Sequence, residues 1–156
     1  MTLAESLTRS TDWSRYALQR GTGDELQLAL LEFISSDDSE RLSELWWGLE
    51  GVIFSQNTVY RGAEPAIDVL MASLVDDRPA ITRAWIIEAI RFVLSCGSIE
   101  DPELPVRCMA RARLGGWLLT QLALEAQGPD RKGLLELLDL LDPGLEDLAR
   151  SGAEKT

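Results

Sequence analysis

Apolar residues return every three or four positions along most of this chain, and short polar or proline-bearing breaks interrupt them at regular intervals. Thr11 or Asp12 is placed to cap a short helix running to Arg20, closed by Gly21 and Gly23. Asp24-Glu-Leu-Gln27 has capping-box spacing, and Leu26, Leu30, Phe33 and Ile34 follow it at helical intervals. After the polar turn Ser35-Ser-Asp-Asp-Ser39, residues Glu40 to Ser55 carry Leu42, Leu45, Trp46, Leu49, Val52 and Ile53 on one face. Pro65 falls in the first turn of a helix ending near Val75. Asp76-Asp77-Arg78-Pro79 reads as an acidic cap with proline in the first turn of a helix that reaches Ser95 and stops at Gly97. Asp101-Pro102 opens a long helix through about Ala126, and Gly128-Pro129-Asp130 and Asp142-Pro143-Gly144 frame two more. No segment alternates with period two and Gly-turn hairpin signals are missing, so no strand is predicted. The expectation is an all-α chain of seven or eight helices: one domain over residues 1–150, followed by a flexible tail at 151–156.

Several helices are apolar on more than one side. In Glu40–Ser55, Trp47, Gly51 and Phe54 form a second row beside the first, which suits a helix inside a stack. Stacking suggests a repeat, and Trp47-Gly-Leu-Glu50-Gly-Val52-Ile-Phe54 aligns without gaps on Trp85-Ile-Ile-Glu88-Ala-Ile90-Arg-Phe92. A weaker third copy is Trp117-Leu-Leu-Thr120-Gln-Leu122-Ala-Leu124. The spacings are slightly short of the roughly 40–47 residues of HEAT and armadillo units, and they predict a short α-solenoid of antiparallel helix pairs.

Between two of the apolar segments lies Gln56-Asn57-Thr58-Val59-Tyr60. It is expected to be a structural corner, with Asn57 in the left-handed conformation past a helix end and Val59 and Tyr60 tucked beneath it. Here the chain resembles bacterial HEAT-like repeat proteins, which often carry a Trp-bearing helix, a Gln-Gly-(Thr/Ser)-Val-Tyr corner and a small-residue helix with a proline. The matching residues are Leu45-Trp46, Gln56 to Tyr60, Ala63, Pro65-Ala66-Ile67 and Leu70, with Asn57 where glycine is usual. The resemblance spans residues 40–95. It implies the solenoid fold and, because some such proteins look like immunity proteins of bacterial toxin systems, a binding role. It supplies no catalytic residues.

Composition then narrows the chemistry. The 156 residues include no histidine, and lysine occurs only at Lys132 and Lys155. That removes His-based acid–base catalysis, the Ser-His-Asp arrangement, most zinc sites and a buried lysine nucleophile. Cys96 and Cys108 lack metal-like spacing and suit a reducing compartment. With no basic-then-apolar leader and no apolar run near the ~18 residues of a membrane helix, a cytoplasmic location away from membranes is expected. The net charge is −11, and residues 1–50 hold ten acids against four arginines. Such a field repels phosphate backbones and attracts basic proteins.

Glu50 and Glu88 occupy equivalent repeat positions. They are open to two readings: a paired-carboxylate metal or acid–base site about 10 Å across, or acids that accept hydrogen bonds from Gln56, Asn57 or Tyr60. Arg83, Arg91, Arg107, Arg111 and Arg113 are the only basic concentration, and local acids are expected to pair with them. HEAT-like DNA alkylation-repair glycosylases need an extended basic concave face instead, so nucleic acid is not an expected partner. The function these observations favour is a non-catalytic, cofactor-free binding module. Its most concrete form is an acidic immunity protein that neutralises a basic toxin domain, for example a nuclease. The contact residues expected are Asp37, Asp38, Glu40 and Glu44, with Trp46 as aromatic anchor. The alternatives are a scaffold joining cellular proteins and a carboxylate-based metal enzyme.

Overall fold

The structure is a computed structural model that describes residues 1–16 and 18–154. Helix starts follow local cap chemistry. Thr2 and Glu5 form a capping box at α1 (Leu3–Ser10), Asp12 caps a single 3-10 turn at Trp13–Arg15, and Thr22 and Glu25 form a second capping box at α2 (Gly23–Phe33). Asp38 caps α3 (Ser39–Leu49), and the strands β1 (Phe54–Ser55) and β2 (Thr58–Val59) follow. The remaining helices are α4 (Ala63–Ser73), α5 (Ala80–Ser95), α6 (Leu104–Arg113), α7 (Gly116–Glu125), α8 (Gly128–Leu141) and α9 (Pro143–Glu154). The all-α expectation holds, with nine α-helices among the described residues rather than seven or eight.

The helices pack in two rows. α1, α4 and α6 lie side by side in one, and α3, α5 and α8 in the other; α4 against α5 and α6 against α8 join the rows. α2 packs on α1 and α3, while α7, α8 and α9 pack on one another. α4 is the centre of the molecule: every residue from Ala63 to Ser73 is buried except Glu64 and Asp68. Those two acids reach the surface and are met by Arg107 and Arg111 of α6, four residues apart on each helix.

Several expected boundaries move. The capping box expected at Asp24–Gln27 belongs to Thr22 and Glu25, because Thr22 has the extended backbone a cap needs. The helix expected from Thr11 or Asp12 to Arg20 is only the turn at Trp13–Arg15; Ala17 lies outside the described residues. No acid caps α5, since Asp76 pairs with Arg78 and Pro79 takes the cap position. The expected long helix to Ala126 divides at Leu114-Gly115, where Gly115 faces Met71 of α4 and Gly116 faces Leu145 at the start of α9. α9 continues past Arg150 to Glu154; Lys155 and Thr156 of the expected tail lie outside the described residues.

The largest correction concerns residues 50–59. The helix expected to reach Ser55 ends at Leu49, and Gly51 adopts φ +79, a left-handed conformation that glycine takes without steric cost. Beyond it lies the two-stranded hairpin that the sequence did not predict, with Phe54 paired to Val59 and Ser55 to Thr58. Its two loop residues are Gln56 and Asn57, and the positive φ falls on Gln56 (φ 53), not on Asn57. A two-residue hairpin loop demands positive φ at its first central position, whereas a helix-end corner would have demanded it at Asn57. Asn57 instead accepts from Gly97 N through its carbonyl, and Val59 N donates to Gly97 O, so the hairpin is tied to the end of α5.

The hairpin also delivers Phe54, fully buried, into an aromatic cluster. Ring centroids lie 4.8 Å from Phe92 and 5.4 Å from Trp46, and Trp46 contacts Trp85 at 5.9 Å. The repeat alignment thus brings Phe54 and Phe92 together but not the tryptophans. Trp85 is half-buried in the cluster, whereas Trp47 and Trp117 are 63% and 72% exposed.

Candidate protein-binding surface

The expected contact residues lie on and before α3, and they divide by role. The Asp38 carboxylate accepts from the backbone N–H of Glu40 at 2.9 Å and of Arg41 at 3.3 Å, so it is the helix cap. Glu44 pairs with Arg41 at 2.9 Å, and Arg41 also bridges to Glu32 of α2. The hydrogen bonds from Arg41 hold the Glu32 carboxyl below its usual value, against the opposing effect of desolvation. Asp37 and Glu40 are exposed, and among the described residues neither forms an ion pair. Trp46 is half-buried, its ring held by Phe54, Trp85 and Phe92, and only one side borders a shallow cleft shared with Ala84, Trp85 and Glu88.

The exposed aromatic is its neighbour. Trp47 lies seven residues beyond Glu40 and three beyond Glu44, a spacing that puts all three on one exposed stripe of α3. Beside Trp47 a cleft of about 470 Å³ is lined by Gln19, Arg20, Glu50, Gly51 and Ser55, with Arg20 Nη2 donating to the Glu50 carbonyl at 3.2 Å. Gly48 completes the stripe. A side chain there would meet nothing within 4 Å, so neither packing nor backbone conformation calls for glycine in this helix. Counting Glu40, Glu44 and Trp47 by helical turns would have found this stripe in the sequence. Which of the two adjacent tryptophans faces inward, however, is decided by α5.

The residues expected at the corner form the hairpin instead. Val59 is buried beneath the hairpin, Thr58 and Tyr60 are half-buried, and Gln56 and Asn57 are exposed at its tip. Glu50 and Glu88 have different settings: Glu50 is the residue that ends α3, while Glu88 lies within α5 with its carboxylate accepting from Arg91 at 2.7 Å. The two line different clefts, and Gln56, Asn57 and Tyr60 donate to neither carboxylate. Among the described residues no group of three or more Cys, Asp and Glu side chains is disposed to hold a metal ion.

The arginines meet local acids as expected. Arg83 meets Asp130 at 2.9 Å, Arg91 bridges Glu88 and Glu136, Arg107 joins Glu64 and Asp101, and Arg111 meets Asp68. Arg113 is the exception and donates to the Leu141 carbonyl. Hydrogen bonding from Arg107 holds the Asp101 carboxyl below its usual value. Both cysteines are buried and free; burial pushes the Cys108 thiol up to about 12 and raises that of Cys96 as well, the reverse of what a nucleophilic thiol needs. No helix among the described residues is long and apolar enough to cross a membrane. The chain matches no protein-family model, and no characterised protein or solved structure shows detectable similarity to it.

Proposed function

We propose that this chain is a non-catalytic binding module whose exposed α3 stripe captures a basic protein, and that its two helical rows are a short HEAT-like solenoid. The observation that carries the proposal is Trp47, 63% exposed and in register with Glu40 and Glu44. A large aromatic left in solvent beside carboxylates offers apolar area and a cation-binding ring face together. Gly48 lets a partner's backbone approach the same spot closely. The net charge of −11 adds long-range attraction for a cationic partner and makes its capture fast and salt-sensitive. The resemblance at residues 40–95 makes a toxin domain the most concrete partner, and a nuclease, basic because it must hold nucleic acid, the most suitable kind. The chain would then act as its cytoplasmic immunity protein. Asp38 serves this surface by starting α3, Asp37 and Glu40 by their unpaired charge, and Trp46 by holding α3 against α5.

Co-expression with basic toxin domains, beginning with any encoded beside this gene, tests the proposal. Growth should be rescued, and the complex should weaken as salt rises. Trp47→Ala should weaken binding by about tenfold or more, the usual scale for a central aromatic contact. Failure to rescue, with no complex even at low salt, would end the proposal. A complex indifferent to both salt and Trp47 would point to a scaffold working through another surface.

A further inference from the structure

The cleft that Trp46 borders between α3 and α5 has a chemistry of its own. Ala84, Trp85 and Glu88 stand at positions of α5 that share one face of that helix. The ring centroids of Trp46 and Trp85 are 5.9 Å apart and their planes are inclined at 57°, so the two indoles diverge as a wedge. Phe54 and Phe92 hold the Trp46 ring from its other sides, which fixes this wall before any ligand arrives. The cleft measures about 280 Å³. That is below the roughly 300–1,000 Å³ of pockets that enclose whole small molecules, and it suits a single projecting side chain.

Charge selects which side chain. The lining residues are two tryptophans, one alanine and one carboxylate, with no cation among them. Glu88 Oε1 accepts from Arg91, but Arg91 is shared with Glu136 of α8, so these three groups together keep one negative charge. Among the described residues Glu88 Oε2 has no hydrogen-bond partner. Lys132 lines the adjoining cleft between α5 and α8 instead. A neutral apolar group seated on the indoles would crowd that carboxylate without partnering it, and an anion would be repelled. A guanidinium suits both parts at once: its planar face stacks on an indole while its N–H edge donates to a carboxylate. We propose that this cleft is a subsite for an arginine side chain presented by a binding partner. The proposal deepens the reading of the chain as a module for basic proteins and rests on it for the source of the arginine.

The subsite can be tested without that partner. N-acetylarginine amide, with its neutral isostere N-acetylcitrulline amide as control, is titrated into the isotope-labelled chain at matched ionic strength. Arginine amide should shift the nuclear magnetic resonance signals of Trp46, Trp85 and Glu88 saturably. It should bind roughly two- to tenfold more tightly than citrulline amide, the scale of a cation–π contact. Raising salt from about 50 mM to about 500 mM should weaken arginine binding and leave citrulline binding unchanged. Glu88→Gln, a change at an exposed position, should abolish the preference for arginine. The subsite is overturned by the absence of a saturable shift at Trp46 and Trp85, by an equal response to citrulline amide, or by shifts centred on Trp47. None of these results bears on rescue by co-expression. Conversely, arginine binding here without rescue from any toxin domain would support the subsite and count against the toxin partner alone.

Discussion

Gly48 and Gly51 lie three residues apart, and replacing each with alanine should move stability in opposite directions. Gly48 lies in the last turn of α3, with helical backbone and open space where a β-carbon would go. Glycine in a helix costs roughly 0.5–1 kcal/mol relative to alanine, mainly through the freedom it loses on folding. Gly48→Ala should therefore stabilise by about 0.5 kcal/mol, the low end of that range applying so close to a helix terminus. Gly51 has φ +79, and its β-carbon would also come within 3.1 Å of the Arg20 guanidinium. The left-handed backbone alone costs an alanine roughly 1–2 kcal/mol; the Arg20 contact adds little because the far end of that side chain can shift. The two variants should thus differ by about 1.5–2.5 kcal/mol, or roughly 3–10 °C in melting temperature for a chain of this length. Urea denaturation followed by far-ultraviolet circular dichroism measures the difference, with unchanged slopes showing that the surface exposed on unfolding is the same in both variants. If Gly48→Ala proves destabilising, Gly48 has a packing role and no longer marks a surface kept bare for a partner. Should it stabilise and also weaken partner binding, the glycine exchanges stability for access.

Other substitutions probe the remaining features. Phe54→Ala empties a fully buried site at the junction of the hairpin and α5 and should cost about 3–5 kcal/mol in denaturant unfolding; a loss below about 1 kcal/mol would mean the cluster does not hold the rows together. Asp101, whose folded pKa is depressed by Arg107, contributes stability that is complete above its ordinary value of 3.8 and is lost as pH falls through the lower folded value. Asp101→Asn should accordingly be less stable than the parent at neutral pH, with the gap closing in acid; a gap that widens as pH falls would refute this. Cys108, with its thiol near 12, should resist thiol reagents at pH 8 until the chain is unfolded, and labelling of the native protein at the rate of a free thiol would contradict its burial.

The helical class and several of its breaks were legible because they depend on local chemistry. Pro65 in a first turn, the stop between Ser95 and Gly97, and the Pro129 and Pro143 starts need only a few neighbouring residues to specify them. The end of α3 was not legible. Val52, Ile53 and Phe54 continue the apolar rhythm straight through the break, and Phe54 leaves the helix for a partner, Phe92, on α5. The hairpin is hidden for the same reason: Gln56-Asn57 is not a Gly-turn, and its strands are held partly by Gly97 from far along the chain. The candidate surface was half legible. The acids of α3 could be named from charge alone, but Trp46 and Trp47 stand side by side, and Phe54 of the hairpin with Trp85 and Phe92 of α5 decides that Trp46 turns inward.

The position of α1 against α4 has a consequence for how the chain is made. α1 is complete at Ser10, but the helix it packs on is not finished until Ser73. At translation rates of roughly 5–20 residues per second, α1 is therefore made several seconds before the larger part of its binding surface, α4, is complete. Until α4 is made, the eight residues of α1, too few to persist as a helix alone in water, have only α2 and the turn at Trp13 to pack on. The residues of α1 are thus made well before the helix they pack on most, and α4 stays uncovered on one side until they dock. Because α4 shows only Glu64 and Asp68 to solvent in the folded chain, a nascent chain paused before α1 docks exposes part of the most thoroughly buried helix of the fold.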